Sequence, residues 1–109
     1  MATGLLGNAD LDAATDTIVY TVPENTFSVV SINLCNRNSA NAADVRIALA
    51  ASGTPTNSEY IEYDSELIAN GVIERSGVVI EADKNIVVRS STNDVTVTVY
   101  GIETSTTTS

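Results

Sequence analysis

The side chains in this sequence that could do chemistry are almost all carboxylates, and they gather in two places. Asp10, Asp12 and Asp16 crowd one segment near the N-terminus. Their i, i+2, i+6 spacing superficially follows a calcium loop, but the glycine of its sharp turn and its bidentate glutamate are missing. Glu59, Glu62, Asp64 and Glu66 form the second group. Glu62 and Asp64 can share one face of a strand, whereas Glu59 and Glu66 fall at loop ends. Both groups read as solvated acidic surface. The sequence contains no histidine, which removes the commonest general base, the commonest metal ligand and every Ser-His or Cys-His nucleophile. It also lacks a glycine-rich phosphate loop and any paired-cysteine metal spacing. A glycosidase-type carboxylate pair is compatible with the residue types, but sugar-cleaving clefts usually add aromatic platforms, and the chain has four tyrosines, one phenylalanine and no tryptophan. Neither an enzyme nor a cofactor or metal is expected.

The elements that must position these groups are strands. A chain of 109 residues fits one domain. Val, Ile and Thr are abundant; branching at Cβ costs rotamer freedom in a helix and packs well on a pleated sheet. Fourteen acidic residues against five basic ones give a net charge of −9. That field repels phosphate backbones, so nucleic acid is not an expected partner, and it favours solubility at high local concentration. Cys35 is the sole cysteine, so no internal disulfide forms. Its alternating flanks place it near a strand end as a packed, inert thiol. No leader-like basic and apolar N-terminus is visible, and no apolar run approaches membrane-spanning length.

Residues 1–16 differ from the rest. Gly4, Gly7 and Asn8 break any helix around Leu5 and Leu6, and no β-branched run begins until Thr17. The segment reads as an N-terminal arm, with room for a short helical turn at residues 9–14. Its leucines would either cover one end of the domain's own sheet or dock on a neighbouring subunit. Residues 17–103 then read as a β-sandwich domain and 104–109 as a polar tail.

Within that domain, strands are expected at residues 17–22, 26–35, 45–50, 59–63, 72–75, 78–81, 86–91 and 95–103. Val30, Ile32 and Leu34 should face one way, and Ser31 and Asn33 the other. Val95, Val97 and Val99 likewise alternate with Thr96, Thr98 and Tyr100. Pro23-Glu24-Asn25, residues 36–41, residues 51–58, Asp83-Lys84-Asn85 and Thr92-Asn93-Asp94 supply turns and loops. Asn70-Gly71 is the strongest short-range hairpin signal, and Ser76-Gly77 marks a break or bulge. In a regular strand Tyr60 and Tyr63 point to opposite faces, one to the core and one toward the surface, where a tyrosine beside carboxylates either packs on its sheet neighbours or contacts a sugar or a partner protein. About eight short strands with turns every 8–12 residues define an all-β, antiparallel β-sandwich, of jelly-roll or immunoglobulin-like topology.

The segments VYTVP (19–23), INLCNRN (32–38), VRIALA (45–50), EYIEYD (59–64) and VVRSS…VTVTVYGIE (87–103) together resemble a family of small virion structural proteins of tailed phages. These occur notably in contractile-tailed phages of cyanobacteria and other marine bacteria. The similarity runs from about Leu5 to Glu103 and lies in strands and turns rather than in a catalytic motif. It implies a non-enzymatic particle component in several copies, made in the host cytoplasm and located in the virion. Its expected partners are major capsid or tail subunits and further copies of itself, with no nucleic acid and no membrane. Two roles follow as expectations. One is an accessory or decoration module reinforcing contacts between capsid or tail subunits, docking through Leu5, Leu6 and Leu11, with Arg37, Asn38 and Tyr60 as further contact residues. The other is a fibre- or baseplate-associated module that binds host glycan or protein through its loops. The short ending GIETSTTTS departs from long fibres, in which such a module continues into a repetitive shaft.

Overall fold

The computed structural model describes residues 2–106. The chain forms eight strands: β1 (Thr3–Asp10), β2 (Thr17–Thr21), β3 (Thr26–Asn36), β4 (Ala43–Ala50), β5 (Tyr60–Leu67), β6 (Val72–Ile80), β7 (Asn85–Ser90) and β8 (Val95–Ser105). They build two four-stranded antiparallel sheets, β1-β8-β3-β6 and β2-β7-β4-β5, packed face to face. Each strand of the first half pairs with its mirror in the second: β1 with β8, β2 with β7, β3 with β6 and β4 with β5. The chain is thus one long hairpin, doubled back at the loop after β4 and rolled so that β3 meets β8 and β4 meets β7. This winding is a jelly roll, which resolves the two topologies that periodicity left open.

The core follows from period-two patterning. Along β3 every second residue from Thr26 to Asn36 is buried, including Val30, Ile32 and Leu34. β8 supplies Val95, Val97 and Val99, β4 supplies Val45 and Ile47, and β7 supplies Ile86 and Val88. These branched side chains interdigitate between the sheets, where burying each is worth about 1.5–3 kcal/mol. The backbones come close as well: a Cβ on Gly101 would lie 2.1 Å from the Val29 carbonyl oxygen, so no other residue fits that point of the β3·β8 pair.

Several sequence expectations change. Residues 3–10 are not an arm but edge strand β1, paired to β8 from Thr3↔Ile102 to Asp10↔Thr96. Leu11 is 1% exposed and belongs to the core, and a Leu11 N–H bond to the Val95 carbonyl holds it there. No helical turn occupies residues 9–14: β1 runs to Asp10, and Ala13 bridges to Ser90. At the other end, β8 continues through Thr104 and Ser105, which pair with Phe27 and Thr26; residues 107–109 of the expected tail lie outside the described residues. The two expected strands at 72–75 and 78–81 are one strand, β6, carrying a bulge with Gly77 at φ 67°. Asn70-Gly71 does form a tight turn, closed by a Gly71 N–H bond to the Ile68 carbonyl with Asn70 at φ 57°. The turn is not a hairpin, because β5 and β6 belong to different sheets.

The two sheets are also joined by a polar contact through the core. The Tyr20 hydroxyl, on β2, donates to Glu103 Oε2 on β8 at 2.6 Å and shares a 2.7 Å bond with Ser28 Oγ on β3. Burial and the hydrogen bond to the Glu103 carboxylate push the phenol from 10.0 up to about 12.

Leu11→Ala should therefore cost about 2–4 kcal/mol in urea unfolding, the price of a core cavity. A detachable arm would show almost no loss. Tyr20 also makes stability alkaline-sensitive. The unfolded chain releases this proton near pH 10 and the folded one near 12, so the contribution is full below pH 10 and falls as pH rises between the two. The total loss is on the order of 2–3 kcal/mol. Tyr20→Phe should remove that slope from pH-dependent denaturation curves.

Candidate functional site

The two outer faces of the sandwich differ in kind. On the β1-β8-β3-β6 sheet, Thr3, Ile102, Val29 and Val79 stand side by side across all four strands. Leu5, Tyr100 and Ser31 form the next row, and half-buried Phe27 lies beside Thr104 in the row on the other side. Leu5 is 62% exposed, Val79 65% and Ile102 47%. They outline one apolar patch at the end of the sheet where β8 finishes. The following row, Asn8, Thr98, Asn33 and Glu74, is polar and bounds it. The Tyr100 hydroxyl donates to Glu74, turning its ring edge into part of that boundary. This hydrogen bond and partial burial raise the Tyr100 pKa above its ordinary value.

The residues singled out from sequence scatter over the molecule. Leu5 lies in the patch. Leu6 is half-buried against the core and Leu11 is inside it, so neither forms a docking surface. Arg37 and Asn38 sit together at the opposite end, in the loop after β3, where they tie loops to one another. Arg37 Nη2 lies 2.5 Å from Asp10 Oδ1. Asn38 Nδ2 donates to Asp94 at 2.9 Å, while its Oδ1 accepts the Ala40 and Asn41 N–H groups at 2.8 Å. Buried Asn36 anchors the same loop by donating to the carbonyls of Asn41 and Leu67. These polar side chains are engaged within the chain. Of the acidic triplet, Asp10 meets Arg37 and Asp16 faces Arg89 at 3.8 Å. Among the described residues, no three His, Cys, Asp or Glu side chains gather as a metal site.

The outer face of the β2-β7-β4-β5 sheet is built differently. Ala48, Ala50 and Val87 form a small buried cluster there, with Tyr60 packed against it. β5 carries two register shifts against β4, between Val45 and Ile47 and between Ile47 and Ala48. The extra residues overturn the expected alternation, so Tyr60 and Tyr63 share a face. Their ring centroids are 4.9 Å apart, and the planes meet at 82°. Arg46 lies over the Tyr63 ring, its guanidinium carbon 4.1 Å from the centroid. Asp64 holds that guanidinium by two bonds, to Nε at 2.7 Å and to Nη2 at 3.2 Å. The same hydrogen bonds keep the Asp64 carboxyl below the usual carboxylate range. Asn57, in a single 3-10 turn (Asn57–Glu59), completes a hollow of about 470 Å³ with the two tyrosines.

The loop that carries Asn57 is pinned by one carboxylate. Glu59 accepts the Thr56 N–H at 2.8 Å and the Ala51 N–H at 3.0 Å. These backbone bonds lower its pKa.

Residues missed in the sequence are Val79, Tyr100 and Ile102 on one face, and Arg46 on the other; Tyr63 is the surface tyrosine of the expected pair. A signal for the first group did exist. Ile102 follows Tyr100 on the parity of β8 otherwise held by Thr96 and Thr98, an apolar residue on the outward side. Nothing local announced Arg46 beside Tyr63, or the two tyrosines on one face, because both depend on the bulges of β5. The chain matches no protein-family model and no curated protein sequence.

Because the Glu59 carboxyl is depressed, its two backbone bonds persist through the ordinary carboxylate range and are lost as pH falls below it. The amide resonances of Ala51 and Thr56 should shift together in an acid NMR titration, with a midpoint below that of an ordinary glutamate. Glu59→Gln should abolish that joint titration.

Proposed function

We propose that this chain is a non-enzymatic structural module of a tailed-phage particle, seated on a larger capsid or tail subunit through the outer face of the β1-β8-β3-β6 sheet. The observation that carries the reading is the patch of Leu5, Val79, Tyr100 and Ile102, left in solvent on a domain whose other large apolar side chains mostly find a core. Contiguous exposed apolar surface rimmed by polar residues marks interaction sites on soluble domains. Here Glu74, Asn33 and Thr98 supply that rim. The jelly-roll winding supports the reading more weakly, as an architecture shared with viral capsid and lectin domains. The sequence resemblance to small virion proteins points the same way. Arg37 and Asn38 recede from this role, since their polar groups already bind Asp10 and Asp94.

The test is a double variant, Val79→Asp with Ile102→Asp. Both side chains face solvent, so thermal unfolding should change little, within about 0.5 kcal/mol per site. Attachment to purified particles, read by quantitative mass spectrometry against the major capsid subunit, should be lost. Undiminished attachment would overturn the docking face. A variant that stays attached but changes from oligomer to monomer in sedimentation would assign the patch to self-association.

A further inference from the structure

On the opposite face of the sandwich we infer a binding site for a neutral saccharide, formed by Tyr63, Tyr60 and Asn57. The inference rests on residues separate from the docking patch and stands or fails independently of it.

Two aromatic rings at 82° with centroids 4.9 Å apart make a corner rather than a flat wall. The corner opens outward: Tyr63 is 55% exposed, and the hollow of about 470 Å³ falls within the range of small-molecule sites. The rings are held in place. Tyr60 rests on Ala48, Ala50 and Val87, while Arg46, itself clamped by Asp64, sits over the Tyr63 ring. Among the described residues, neither the Asn57 amide nor the Tyr63 hydroxyl has a hydrogen-bond partner within the chain. The site therefore offers a rigid apolar corner beside a free amide and a free phenol.

Three ligand classes use tyrosine surfaces, and the geometry separates them. A cationic ligand would need a ring face, but Arg46 already holds the cation position on Tyr63. A polyproline segment lies along an aromatic-lined groove, whereas these rings meet at a closed corner. A pyranose fits. Its C–H face can lie against one ring while its rim of hydroxyls reaches Asn57 and the Tyr63 hydroxyl. Charge refines the choice further. The chain carries −9 overall, and the one cation at the corner, Arg46, is already paired with Asp64, so sialic and uronic acids are disfavoured against uncharged sugars.

Amide NMR titrations of the intact chain with maltotriose, cellotriose, chitotriose and sialyllactose test this. At least one neutral trisaccharide should shift the Asn57 and Tyr63 resonances at millimolar concentration, more strongly than sialyllactose does. Tyr63→Ala should weaken that binding about tenfold or more while the sandwich stays folded, as its unchanged core amide resonances would show, and Asn57→Ala should weaken it less. The Val79→Asp, Ile102→Asp variant should bind as the native chain does, which keeps failure of the docking face distinct from failure of this site. Absence of shifts with every neutral sugar, equal binding by Tyr63→Ala, or tighter binding of sialyllactose would overturn the inference.

Discussion

The pairing of β3 with β8 is the constraint on which the rest of the molecule depends. It runs from Thr26↔Ser105 to Asn36↔Val95 without a register shift. The strands joined in this way lie about two-thirds of the chain apart, so closing them carries the larger loop-entropy cost of a non-local contact. It supplies the edges on which β1 and β6 pair, which completes the first sheet. The β4·β7 pairing, also in continuous register, does the same for the second sheet. Side-chain alternation then delivers Val30, Ile32 and Leu34 against the valines of β8 and the inner faces of β4 and β7. A slip of one residue in either central pair would turn that whole set toward water.

The edges obey the opposite rule. Each of the four outer strands pairs with its inner neighbour through at least one register shift, and in each the extra residue lies on the outer strand. A bulge increases local twist and leaves part of an edge unable to template another strand. The sandwich is therefore poorly suited to growth by strand addition, although it presents four open edges. Contacts with other molecules fall to its faces and loops instead. Since the loops at the Arg37 end are bonded to each other, the faces are what remain available.

This division also explains what could be read in the sequence. The inner strands are two-sided and regular, and their period-two runs at Val30–Leu34 and Val95–Val99 are plain. The edge strands are irregular by construction. β1 contains Gly4 and Gly7, which read as breakers, yet a Cβ on Gly7 would lie 2.3 Å from the Val19 carbonyl oxygen. That glycine marks the point where β1 passes close against β2, a contact between sheets that no local pattern encodes. Regular alternation puts Tyr60 and Tyr63 on opposite faces, and counting by two fails where β5 bulges. Asn70-Gly71 announced a turn, and turn chemistry alone does not say which sheet the next strand joins. The number of strands agreed with expectation only because β1 was gained as two stretches merged into β6.

The two faces divide the work between burial and display. On the second sheet, the small side chains of Ala48 and Ala50 let Tyr60 settle onto the strands, and Glu59 fastens the long loop after β4 to the start of that loop. The surface is thereby covered by the chain itself, and what protrudes is ordered and part polar. The first sheet has no such cover, and Val79 and Ile102 stand free on it. A domain seated through the uncovered sheet would turn the covered one outward. The bulges that blunt β5 as an edge are the same ones that bring Tyr60 and Tyr63 together, so the device that limits strand addition also shapes the surface such a domain would show to its surroundings.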